Sequence, residues 1–298
     1  MAPAGCSADP AAVERAAARF EDAGHLVRNY YDHNCIHQRF GGTDAARLAQ
    51  LRDAVADPDV QLVIAVRGGY GITRLLPHID FEAIAASRKI VVGFSDVTAL
   101  HMGLMARAGG MGYAGPMAAG DFGASEMVEA VDFTLGDFWR CLAGPTHLIR
   151  ETVAGNPRLD LHGTVWGGNL AMINSLLGTP YFPHIDGGIL WCEDIAEHPY
   201  RVERLLLQLM QAGVLARQRA VVLGDFSGYR LGPLDNGYDF DAMLAYLRQT
   251  LPVPVLTGLS FGHIARRVTI PFGARGHLRS DGDGFSLLLS DYPTVRQA

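Results

Sequence analysis

The sequence predicts an α/β protein with an N-terminal, doubly wound, mostly parallel sheet domain and a C-terminal mixed α/β domain. Three observations lead there. Short apolar, β-branched runs alternate with longer segments whose apolar residues recur at helical spacing, the pattern of strands connected through helices. The periodicity fades over residues 144–157, where Gly144, Pro145, Gly155, Asn156 and Pro157 accumulate. The tail carries Asp281-Gly282-Asp283-Gly284 between Leu278 and Leu287-Leu288-Leu289, which reads as a hairpin. The 298 residues therefore divide into 1–143, a linker over 144–157, and 158–298, each half large enough for its own core.

Along the chain, Asp9-Pro10 starts a helix, because aspartate caps free N–H groups and proline suits the first helical position. Val13, Ala16, Ala17 and Phe20 follow at helical spacing, and Gly24 stops the run. Leu26-Val27 opens a strand. A helix from Asp44 carries Leu48, Leu51 and Val55 on one face until Asp57-Pro58. Leu62 to Val66 is an apolar run ending in a glycine loop, a strand buried on both faces. After a further helix come the strand Ile90-Val91-Val92-Gly93 and a helix through Leu100, Leu104 and Met105. Beyond the linker, Ile189 to Cys192 and Ala220 to Leu223 are strands. Val202, Leu205, Leu206 and Leu209 mark an amphipathic helix closed by Gly213, and Leu244 and Leu247 lie on the last helix before the hairpin.

Composition narrows the function classes. An apolar fraction of 49% with 19% charged residues suits a globular protein. The net charge is -6, Lys89 is the only lysine and the arginines are scattered, which argues against a nucleic-acid partner. No apolar stretch approaches the roughly 18–20 residues of a membrane helix. Met1 to Pro10 lacks the basic and apolar regions of a signal peptide, so a cytoplasmic protein is expected. Cys6, Cys35, Cys141 and Cys192 have unrelated spacings and read as reduced thiols. His33-Asn34-Cys35-Ile36-His37 fits no zinc spacing, and no His-Glu-x-x-His occurs, so neither a metal nor another cofactor is expected.

Four elements can carry chemistry. Gly93-Phe94-Ser95-Asp96-Val97 lies where a buried strand passes into a helix, so Ser95 is either a nucleophile on a tight turn or a helix cap. The familiar nucleophile elbow has glycine where Val97 stands. Arg67-Gly68-Gly69-Tyr70-Gly71 follows a strand; it is either an anion-approaching loop or an ordinary turn, and it lacks the phosphate-loop pattern. In a doubly wound sheet, both loops lie at carboxyl ends of strands, where ligands bind. Trp191-Cys192-Glu193-Asp194 puts two carboxylates at a strand end, where Glu193 needs a partner such as Arg201 or Arg204 if it has no catalytic one. Phe261-Gly262-His263 places one of 11 histidines in a loop after Val255-Leu256.

Taken in order, and with Trp166-Gly167-Gly168-Asn169-Leu170, these blocks resemble the serine LD-carboxypeptidases, particularly the cytoplasmic murein tetrapeptide carboxypeptidases. The likeness also takes in Glu197-His198-Pro199, Arg201-Val202-Glu203-Arg204 and Val268–Gly273, and so spans nearly the whole chain. The resemblance implies Ser95 as nucleophile, His263 as general base and Glu193 as the acid orienting it, with the N–H groups of Gly69 and Asp96 as oxyanion hole. It implies an active site in the groove between the two domains, a murein tetrapeptide substrate, a role in peptidoglycan recycling and a homodimer. Arg74 or Arg201 is expected to meet the substrate's terminal carboxylate, and Asn169 either contacts substrate or caps a helix. Family members carry an apolar first strand ahead of this segment, whereas here only Met1 precedes Ala2-Pro3-Ala4-Gly5: either the start is truncated or the first strand is missing, which leaves the sheet edge weakly specified. Two alternatives stand beside this reading: a same-family immunity-type hydrolase of peptidyl-adenylate antibiotics, and a non-catalytic two-lobed ligand-binding protein.

Overall fold

The computed structural model describes residues 1–295. Its strands are β1 (Leu62–Ile64), β2 (Ile90–Val92), β3 (Gly112–Ala114), β4 (Thr146–Glu151), β5 (Leu159–Asn169), β6 (Gly188–Glu193), β7 (Gln218–Leu223), β8 (Val255–Thr257), β9 (Ile270–Phe272), β10 (Arg275–Ser280) and β11 (Phe285–Ser290). Its α-helices are α1 (Pro10–Asp22), α2 (Asp44–Ala56), α3 (Ile72–Leu75), α4 (Phe81–Ser87), α5 (Thr98–Ala108), α6 (Glu129–Ala143), α7 (Leu170–Ser175), α8 (Pro199–Gln211) and α9 (Phe240–Thr250). Two sheets result. The first has the order β1-β2-β3-β9, parallel through β3, with β9 antiparallel to β3. The second has the order β4-β11-β10-β5-β6-β7-β8, parallel from β5 to β8 and antiparallel from β5 out to β4.

The change of pairing within the second sheet is written into β5. Its first half, Leu159–Thr164, pairs antiparallel with β10 and is half-exposed to exposed; its second half, from Val165, pairs parallel with β6 and is buried throughout. Antiparallel strands tolerate one wet face, whereas parallel strands flanked by crossover helices do not. Strands β2 and β6 are accordingly buried at every position. Trp166, Trp191, Tyr113, Phe138, Phe261 and Phe272 are among the largest fully buried side chains and fill the core.

Three sequence expectations change. Leu26-Val27 forms no strand; Leu26 is 72% exposed and has no neighbouring strand to pair with. Within residues 144–157, expected to be a linker, Thr146–Glu151 is β4, an edge strand on β11, its outward Thr146, Leu148 and Arg150 having hidden the alternation. Ile270–Phe272, expected with the C-terminal half, joins the first sheet beside β3. The chain then steps directly into the second sheet through Gly273, whose N–H donates to the Val165 carbonyl at 2.7 Å while Val165 N–H donates to Ala274 at 2.8 Å. At the other edge, Met1 lies along β1, receiving Val66 N–H at 2.8 Å and donating to the Ile64 carbonyl at 3.2 Å.

Helix α5 buries His101 against the ring of Phe272, and its Nε2 has no hydrogen-bond partner. Burial pushes its pKa down to about 4, so the folded state keeps a neutral imidazole where the unfolded chain would charge it. Because the folded-state value is depressed, stability falls as pH drops from about 6.5 toward 4, by about 2–3 kcal/mol at pH 4.5. Thermal unfolding at pH 7 and 4.5 should show a larger loss for wild type than for His101→Met; equal losses would remove His101 as the cause.

Candidate active site

Strand β2 delivers its chain to a turn that only particular residues permit. Gly93 lacks a Cβ where one would stand 2.9 Å from Val97 Cγ2 and 3.1 Å from Ala65 Cβ, so Val97 can fill the space that crowds a sharp strand-to-helix turn. Ser95 has φ +62°, a left-handed conformation uncommon for a residue with a side chain. The backbone of Ser95–Val97 then winds into α5, and the Ser95 hydroxyl makes no helix cap.

That hydroxyl meets a histidine from the other end of the chain. Ser95 Oγ lies 3.2 Å from His263 Nε2, and His263 Nδ1 lies 2.8 Å from Glu193 Oε2. A carboxylate can only accept, so Nδ1 carries the proton toward Glu193 and Nε2 is left to accept from the serine. Glu193, the last residue of β6, is fully buried, and its Oε1 has no hydrogen-bond partner. The imidazole remains 20% exposed, open to the groove. Rings brace the assembly: Phe94 stands edge-on to His263 at 5.1 Å, and Phe261 packs on Trp191 at 4.6 Å. Behind β6, Gly224 N–H donates to Cys192 (2.8 Å) and Asp225 N–H donates to Phe261 (2.7 Å), tying the histidine loop to the glutamate strand.

The loop after β1 closes the other side. A Cβ on Gly68 would lie 2.7 Å from Ser95 Cβ, 2.9 Å from its Oγ and 3.3 Å from Asp96 N, so the loop can lie on the serine only because residue 68 is glycine. Gly69 has φ +110°, and Gly68 accepts the Gly5 N–H at 3.1 Å. Asp96 is buried, and burial raises its pKa; its Oδ2 accepts the Ile72 N–H at 2.9 Å and pins the start of α3 to the serine turn. Ser95, His263, Gly68 and Gly69 line a groove of about 470 Å³, together with Ser7, Arg15 and Arg67.

The remaining expected residues lie elsewhere. Arg74 pairs with Asp44 at 2.8 Å and lies over the Phe40 ring, and Arg201 pairs with Glu197 at 3.5 Å; neither lines the groove with Ser95. Asp44 is remote from Arg74 in the sequence, whereas Glu197 stands at i,i+4 spacing to Arg201. Asn169 caps α7 through Met172 N–H (3.1 Å) and donates to Asp194 (2.8 Å), which makes it a cap. Burial lifts Asp194 to about 6 against these hydrogen bonds. Arg67 was legible only as the opening residue of a glycine motif. Asp160, His162 and His277 gather on β5 and β10, where Arg279 also holds Asp160 at 3.1 Å, and none of them lines the groove.

Residues 1–115 match the model of the LD-carboxypeptidase N-terminal domain, and residues 162–278 that of the LD-carboxypeptidase C-terminal domain. The chain belongs to the LD-carboxypeptidase family. Among LD-carboxypeptidase structures, the crystal structure of muramoyltetrapeptide carboxypeptidase from Oxalobacter formigenes superposes with a TM-score of 0.93 at 45% identity, covering 99% of this chain and 98% of that one. The murein tetrapeptide carboxypeptidase of Pseudomonas aeruginosa is 30% identical over 80% of this chain and 78% of its own length. The microcin C7 self-immunity protein of Escherichia coli is 27% identical over 83% of this chain and 79% of its own.

The contact of Gly68 with Ser95 makes a direct test. A small fluorophosphonate should label Ser95 in wild-type protein, and Gly68→Ala should block labelling while the far-UV circular dichroism is unchanged. Equal labelling of both by intact mass would show that the loop yields to the added methyl group.

Proposed function

We propose that the protein is a metal-independent serine carboxypeptidase that releases the terminal D-alanine from the murein tetrapeptide L-Ala-D-Glu-meso-diaminopimelate-D-Ala in peptidoglycan recycling. The reading rests on the unbroken run of hydrogen bonds from Ser95 through His263 to Glu193, at 3.2 and 2.8 Å. His263 Nε2 takes the hydroxyl proton as Ser95 Oγ attacks the carbonyl of the diaminopimelate residue. The N–H groups of Gly69 and Asp96 stabilise the oxyanion. His263 returns the proton to the departing amine, D-alanine leaves, and an acyl-serine remains. Water, deprotonated by the same imidazole, then hydrolyses the ester and regenerates Ser95. Glu193 holds the tautomer and orientation of the ring and offsets its positive charge. A cytoplasmic homodimer, with its groove between residues 1–143 and 158–298, belongs to the same proposal.

The murein substrate draws support from the 45% identity to the muramoyltetrapeptide carboxypeptidase, against 27% to the microcin immunity protein. Because both kinds of protein share the family, purified enzyme should be offered disaccharide tetrapeptide and a peptidyl-adenylate in parallel. Free D-alanine should appear from the first; a strong preference for the second would overturn the substrate assignment. Ser95→Ala and His263→Ala should each lower turnover by on the order of 10⁶-fold and Glu193→Gln by roughly 10⁴-fold, with chelator leaving wild-type activity intact. Loss of activity in chelator would overturn the metal-independent mechanism.

A further inference from the structure

We propose that the guanidinium of Arg67 binds the α-carboxylate of the departing residue and thereby restricts the enzyme to the ends of peptides. This deepens the functional reading above and rests on it. A carboxypeptidase must recognise a carboxylate next to the bond it breaks, and a buried or half-enclosed carboxylate calls for a cation with hydrogen bonds to offer. Two arginines line the groove that holds Ser95 and His263. Arg15 is already engaged, with Nη2 on Asp9 Oδ2 at 2.7 Å and Nε on the Gly123 carbonyl at 2.9 Å. Arg67 is exposed, and its hydrogen bond is a single one, from Nη1 to the Cys6 carbonyl at 3.3 Å. Among the described residues it forms no ion pair. Of the other cations near the serine turn, Arg267 lies over the Phe94 ring and is neutralised by Asp121, Arg47 is buried on Asp44 and the Pro3 carbonyl, and Arg39 does not line the groove.

Position agrees with chemistry. The Arg67 side chain turns back along its own loop: a Cβ on Gly69 would stand 3.7 Å from its Nη2, and one on Gly5 would stand 3.4 Å from its Nε. The cation therefore sits beside Gly69, while the adjacent Gly68 packs directly on Ser95. In a peptide, the C-terminal carboxylate oxygens lie about 3–5 Å from the carbonyl carbon of the preceding residue, depending on the torsions between them. A carbonyl oxygen held beside Gly69 would leave the carboxylate a few ångströms from the loop along which the guanidinium lies. An internal peptide bond would present a neutral amide there and leave the cation unmatched.

The test compares two substrates that differ only in that carboxylate: the tetrapeptide ending in D-alanine and the same peptide ending in D-alaninamide. Wild type should favour the free acid in kcat/KM by on the order of 100-fold, the scale of hydrogen bonds to a charged group. Arg67→Gln should lose that preference, its kcat/KM for the acid falling through a raised KM to about that for the amide, and Arg67→Lys should keep part of it. If wild type releases no D-alanine, the functional reading fails and takes this assignment with it. If wild type is active and Arg67→Gln retains the preference, or weakens both substrates equally, the carboxylate assignment alone is overturned.

Discussion

A carboxylate sealed from water at the end of β6 governs the arrangement of the whole groove. Glu193 is fully buried and one of its oxygens has no partner, so its hydrogen bond to His263 is what compensates the lost hydration. That bond fixes the imidazole from behind and leaves Nε2 no alternative but to face Ser95. Breaking it would leave an uncompensated buried charge rather than a merely loosened histidine. Stability and the proposed chemistry are therefore drawn from the same contact.

The groove exists because of where parallel strands end. The loop after β1 supplies Gly68 and Gly69, the turn after β2 supplies Ser95, β6 terminates in Glu193, and the chain beyond β8 carries His263. All four lie at carboxyl ends, where α/β sheets leave crevices. The two sheets each contribute half of the set, and the direct step at Gly273 from β9 to β10 keeps them in register. Close backbone approach then decides the detail: Gly93 makes room for Val97, and Gly68 makes room for Ser95.

Much of this was legible in the residues, and what was not has a physical reason. Strands buried on both faces, such as Ile90–Val92 and Ile189–Cys192, announce themselves by continuous apolar runs. The edge strand Thr146–Glu151 does not, because Leu148 faces outward and His147 inward, which breaks the apolar alternation, and its neighbours are turn formers. Ser95, Glu193 and His263 could be picked out through the ordered blocks around them, whereas their meeting depends on topology that spacing alone does not encode. Arg74 looked as available as Arg67, since its partner Asp44 is remote in the sequence and meets it only in the fold; Arg201 is occupied by the nearby Glu197.

The antiparallel contact of β9 with β3 has a consequence for how the molecule is made. The first sheet draws its last member from Ile270–Phe272, within the final tenth of a 298-residue chain. During synthesis, β3 must wait with an open edge until the chain through β4 to β8 and then β9 has left the ribosome, and unpaired edges invite association with other chains. The amino-terminal half is thus not a module that matures first and receives the rest. Completion of its sheet and arrival of the histidine loop, a few residues earlier in the chain, are nearly simultaneous events, so a nascent or clipped protein lacks both its last strand and its imidazole.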